Sequence, residues 1–234
     1  MAEGPQPEVV LVYRQISKWL AFGKMAWAGD SHSREIGVRS IAPIKDIYQC
    51  YGKDGFRVSD QQFVRGGMTA SGCLNDPVFG SLIESDSHIV ALLCGGNDLD
   101  SLDVGHEDVA RWHQELFNEL TKHHKIVYIV ENPTRFSVRT SGLTVSDYQL
   151  KSESLAAADA EMFGNRFIPL KPYCFERSNF EAKKHFKYGM EYVHLKEEFY
   201  SLIAKDVVDH IRDDLLGNKS PPKHPTLLRL RKKQ

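Results

Sequence analysis

His88-Ile89-Val90-Ala91-Leu92-Leu93-Cys94-Gly95-Gly96-Asn97-Asp98 decides the fold: seven residues, mostly apolar and without alternation, stop at two glycines, an asparagine and an aspartate. A short continuous apolar run closed by turn residues suits a strand buried on both faces, as in a parallel sheet. Two more runs have the same form. Lys24-Met25-Ala26-Trp27-Ala28 stops at Gly29-Asp30-Ser31, and Lys125-Ile126-Val127-Tyr128-Ile129-Val130 stops at Glu131-Asn132-Pro133. Residues 165–170 read as a weaker fourth strand, and residues 61–65 as a further one before Gly66-Gly67.

Helical patterns lie between the strands. Residues 109–120 place Val109, Trp112, Leu116 and Leu120 on one face, and residues 148–163 are Ala-rich and helix-favouring. In residues 194–216, Leu195, Phe199, Leu202, Ile203, Val207, Ile211 and Leu215 recur at three- and four-residue steps. Strands alternating with helices predict βαβ units, and hence an α/β protein built as a three-layer αβα sandwich on a mostly parallel five-stranded sheet. The domain is expected over residues 23–216, after a leader at 1–22. A flexible tail at 217–234 carries Arg229, Arg231, Lys232 and Lys233 and no acid.

Composition narrows the class. Of 234 residues, 41% are hydrophobic and 26% charged, which excludes a largely disordered or collagen-like chain. No apolar stretch approaches 18 residues, so no membrane span is expected. With 30 basic and 31 acidic residues the net charge is −1, so a basic footprint over the whole protein is absent. Cys50, Cys73, Cys94 and Cys174 form no CxxC, which argues against a zinc ribbon or a thioredoxin motif. The N-terminus lacks a basic start followed by an apolar core. Together these features lead us to expect an intracellular, reduced protein.

Ligands of open α/β sheets bind at the carboxyl ends of the strands. Four segments should meet there: Gly29-Asp30-Ser31-His32-Ser33, Gly66-Gly67-Met68-Thr69, Gly95-Gly96-Asn97-Asp98 and Glu191-Tyr192-Val193-His194-Leu195. Each alone has a plain structural explanation as a turn, a helix cap or a surface residue. Ester hydrolysis gives the combination a purpose. It needs a nucleophile, a base to take its proton, and donors for the oxyanion. Ser31 at a strand-to-helix turn offers its hydroxyl and its N–H, Gly67 a backbone N–H free of any side chain, and Asn97 its amide. His194 is the candidate base, with the Glu191 carboxylate three residues before it to fix the tautomer.

In these four blocks the sequence resembles the SGNH hydrolases, or GDSL esterases/lipases, over roughly residues 24–212. The resemblance implies a flavodoxin-like αβα fold and a serine esterase without cofactor or metal. It implies Ser31, His194 and Glu191 as catalytic residues, and Ser31, Gly67 and Asn97 as the oxyanion hole. Three features depart from the family pattern: Glu191 replaces the usual Asp, His32 the usual leucine after the nucleophile, and residues 132–147 form a loop without a counterpart. A second resemblance, in block style only, is to the esterase-like domains in the first open reading frame of some animal retrotransposons.

The expected partner is a small-molecule or lipid ester. The rival function is a non-catalytic acyl-ligand-binding module on the same fold, its basic tail adding contact with nucleic acid or an anionic membrane. A nucleotide binder is disfavoured, since no GxGxxG or P-loop opens a helix. His106 and His113, seven residues apart, lack the Cys or carboxylate set of a metal site. Trp27, Trp112 and Cys94 read as core, and Asp30 and Asp98 as anchors for the loops that hold Ser31 and Asn97.

Overall fold

A computed structural model describes residues 24–33, 57–133, 135, 137–170, 193–215 and 217. The leader, all of the basic tail beyond Gly217, and Glu191 lie outside the described residues. Among the described residues, five strands form one sheet: β1 (Lys24–Gly29), β2 (Arg57–Val64), β3 (Ile89–Leu93), β4 (Ile126–Val130) and β5 (Phe167–Ile168). Their spatial order is β2-β1-β3-β4-β5, and every pair is parallel. The helices are α1 (Ala70–Cys73), α2 (Pro77–Glu84), α3 (His106–Lys122), α4 (Val145–Phe163) and α5 (Glu197–Leu215). None of the helices among the described residues is long and apolar enough to cross a membrane.

The pleat sorts the strand side chains into two cores. Met25, Trp27, Ile89, Ala91, Leu93, Tyr128, Val130 and Ile168 face α5. Ala26, Ala28, Val90, Leu92, Val127, Ile129 and Phe167 face the side covered by α1 to α4. The middle strands are therefore buried on both faces, which is why they read as unbroken apolar runs. In α5 the buried stripe is Tyr200, Ile203, Ala204, Val207, Val208 and Ile211, and Leu202 lies off it, 40% exposed. In α3 the buried face takes His113, and Trp112 packs only partly against the core.

Two elements differ in extent from the sequence expectation. β2 starts at Arg57, four residues before the expected start, because it is an edge strand and its Ser59-Asp60-Gln61-Gln62 segment needs no apolar run. β5 is two residues long; Pro169 follows it and has no N–H to extend the ladder. The short helices α1 and α2 were not expected at all. Asp76 caps α2 by accepting from the Val78 N–H, and Pro77 occupies its first turn, a standard helix start.

The strand order reverses between β1 and β3, so the crevice above their carboxyl ends is the topological switch point. Gly29 is paired with Leu93 across it. The chain leaves both strands at this edge, and there Ser31 meets His194 and Asn97 meets the turn after β1.

Candidate active site

The turn after β1 is built on Gly29, at φ 126°. A Cβ at Gly29 would sit 1.8 Å from the Leu93 carbonyl oxygen, so no larger residue fits. The turn is tied to both neighbouring strands: Asp30 N–H donates to Leu93 O at 3.1 Å, and Arg65 N–H to Gly29 O at 3.0 Å. Asp30 then accepts from the His32 N–H at 2.8 Å, and Ser33 Oγ donates to Ala28 O at 2.8 Å. Ser31, the least buried member of this turn, stands at the start of a helical segment, and its Oγ lies 2.8 Å from Nε2 of His194. These two residues are 163 positions apart in the chain.

The segment before α5 is held against the β1 turn by Tyr200. Its hydroxyl accepts from the Leu195 N–H at 3.2 Å and lies 2.8 Å from Nδ1 of His32. The His32 and His194 rings are tilted by 31° with centroids 5.1 Å apart. Burial first, then the nearby Arg135 and His194, push the His32 pKa well below its usual value. His32 is therefore a neutral packing residue beside His194, and its Nε2 has no hydrogen-bond partner among the described residues.

The loop after β3 carries Asn97. Gly95, at φ 97°, lets the chain pass close to Val109 and His113. Asn97 Nδ2 donates to Met68 O at 3.0 Å and lies 3.4 Å from Asp30 Oδ2. One side chain thus joins the turns after β1, β2 and β3. Asp98 accepts from the N–H groups of Ala70 and Ser71 and from Ser71 Oγ, so it anchors the segment after Gly67 and not its own loop, as had been expected. Gly67, at φ 76°, is exposed, and a Cβ there would meet nothing within 4 Å.

Several residues had drawn no attention as part of the site. Asn132 bridges the loops after β3 and β4, donating to Cys94 O at 2.7 Å and accepting from the Gly96 N–H at 3.2 Å. Arg135 Nη2 donates to Asn97 Oδ1 at 2.9 Å. Further back, both nitrogens of buried His113 face groups that only accept, the Asp159 carboxylate at 3.0 Å and Cys94 O at 3.2 Å. Burial opposes the charge on His113, but Asp159 outweighs it and the net pKa is raised. Through these two contacts His113 braces the β3 loop against α4. Burial holds the Asp30 carboxyl up at about 6 against the opposing pull of Arg135, and burial first raises the Cys94 thiol, which is packing. No group of three His, Cys, Asp or Glu among the described residues could hold a metal ion.

No family model matches the chain, and no curated protein sequence matches it. Its fold, however, is shared with solved esterases. Axe2, an acetylxylan esterase from Geobacillus stearothermophilus, aligns with a TM-score of 0.60 at 13% identity, over 81% of this chain and 94% of its own. A carbohydrate esterase family 3 protein from Talaromyces cellulolyticus gives 0.59 at 12% identity, over 84% and 99%. The psychrotrophic esterase EstA from Pseudoalteromonas sp. gives 0.58 at 13% identity, over 82% and 98%. The chain is an α/β protein with the αβα fold of these enzymes, the SGNH hydrolase fold that its four sequence blocks resemble.

Proposed function

We propose that the protein is a serine ester hydrolase. The 2.8 Å approach of Ser31 Oγ to His194 Nε2, at the switch point of the sheet, carries this reading. With His194 neutral and protonated on Nδ1, Nε2 accepts the serine proton as Oγ attacks the acyl carbonyl. Glu191 is the proposed acceptor for Nδ1–H. The Ser31 and Gly67 N–H groups and Asn97 Nδ2 are the proposed donors to the oxyanion. The 3.4 Å contact from Nδ2 to Asp30 is at the limit of a hydrogen bond, so that hydrogen is the one an oxyanion takes. His194 then passes the proton to the leaving alcohol. An acyl-enzyme forms, and water activated by His194 releases the acid. No step calls for a cofactor.

The open position at Gly67 supports substrate entry over the β2 loop. One of the named neighbours, Axe2, is an acetylxylan esterase, so acetyl esters head the panel of candidate substrates. The test is turnover of p-nitrophenyl acetate and of longer acyl esters by the wild type, Ser31→Ala and His194→Ala. Hydrolysis by the wild type, lost in both variants with circular dichroism unchanged, supports the reading. An acyl ester that binds without being turned over would favour the ligand-binding module instead.

A further inference from the structure

Arg135 lies in the segment expected as a loop over 132–147, whose last three residues open α4, and it is only 2% exposed. Among the described residues its side chain makes one hydrogen bond, Nη2 to Asn97 Oδ1 at 2.9 Å, while Nε and Nη1 have no hydrogen-bond partner. A buried guanidinium with unfilled donors carries a desolvation cost. The surrounding structure still holds it in place from several sides. Its charge faces Asp100 at 3.8 Å and the Tyr148 ring at 5.5 Å. Its backbone carbonyl accepts from Gln149 Nε2 at 3.3 Å. Gly96 leaves it room: a Cβ there would lie 3.2 Å from Nη2.

An asparagine amide has nearly the same shape in its two orientations, and only its hydrogen-bond partners decide between them. Arginine can only donate, so the atom it meets on Asn97 is the oxygen. The nitrogen must then point the other way, where Met68 O accepts one hydrogen at 3.0 Å and Asp30 Oδ2, at 3.4 Å, holds the second only weakly. A charge-assisted hydrogen bond on Oδ1 also polarises the amide and strengthens its N–H groups as donors. We infer that Arg135 is a positioning residue that orients and polarises the Asn97 amide for the oxyanion hole. This inference rests on the serine hydrolase reading.

A double-mutant cycle on kcat for ester hydrolysis tests it. Arg135→Gln is expected to lower kcat about 10- to 100-fold with KM within about twofold, since the affected donor acts on charge that develops in the transition state. In an Asn97→Ala background the same substitution should change kcat by less than about twofold. Arg135→Lys, which keeps the charge, should recover part of the loss. The Asn97 side-chain NH2 resonances should shift in Arg135→Gln. If Arg135→Gln does not fold, the cycle is run with Arg135→Lys, and a loss confined to the Asn97 background upholds the assignment. An equal loss with and without Asn97 overturns it and leaves Arg135 a structural residue. Failure of the hydrolase reading looks different, because the wild type itself would then show no Ser31-dependent turnover.

Discussion

The turns after β1 and β2 both contain a glycine at positive φ, yet their surroundings are opposite. At Gly29 a Cβ would collide with the Leu93 carbonyl at 1.8 Å, and the next residues, Asp30, His32 and Ser33, are at most 1% exposed. At Gly67 a Cβ would find open space, and Arg65, Gly66 and Gly67 are all exposed. The first glycine lets two strands approach; the second, on the proposed mechanism, keeps a backbone N–H clear. The same residue type thus serves the fold in one turn and, on the proposed mechanism, the substrate in the other.

Substitution should separate the two. Gly29→Ala puts backbone against backbone and must part β1 from β3, breaking the bond from Asp30 N–H to Leu93 O. The expected cost is above about 4 kcal/mol, among the largest for a single change, and little folded protein should be recovered. A folded Gly29→Ala protein with wild-type Tm would break the comparison.

The buried turn also predicts a pH dependence. Burial raises the Asp30 carboxyl from 3.8 to about 6, so the folded state holds this proton more tightly than the unfolded chain. The stability it contributes is complete below pH 4 and is lost as pH rises through 6. Relative to Asp30→Asn, which does not titrate, wild-type stability should fall by about 2 kcal/mol between pH 4 and 7. Urea denaturation across that range measures the difference, and parallel curves would contradict the burial.

Gly67→Ala should cost about 1 kcal/mol in stability, because an L residue is strained at positive φ even where space is open. Its larger effect should be on kcat, about tenfold down, as the methyl and the altered turn disturb the N–H proposed to face the oxyanion. A variant that is less stable but equally active would remove Gly67 from the site. The smallest effect is expected for Tyr200→Phe. Losing the hydroxyl between Leu195 N–H and His32 should lower stability by about 1 kcal/mol and reduce kcat several-fold through a looser His194.

The two turns were also unequally legible in the sequence. Strands buried on both faces announce themselves as apolar runs, so β1, β3 and β4 and the turns that end them could be read directly. The geometry unites Ser31, which follows β1, with His194, which precedes α5, and Asn97 with the segment after β2. The edge strand β2 and the two-residue β5 carry little apolar signal. The start of α2 is marked locally by Asp76-Pro77, a cap followed by a first-turn proline. Arg135 offered no local cue, because a buried arginine in a polar loop looks like an exposed one, and its partner Asn97 is 38 positions away. His113 and Asp159 were hidden for the same reason, 46 positions apart on two helices.

The most direct test of the central claim is to expose the folded protein to a fluorophosphonate and map the adduct by mass spectrometry. If Ser31 is a nucleophile activated by His194, one adduct forms on Ser31, and its rate falls by orders of magnitude in His194→Ala. An unmodified Ser31, or labelling at the same rate without His194, would contradict the account.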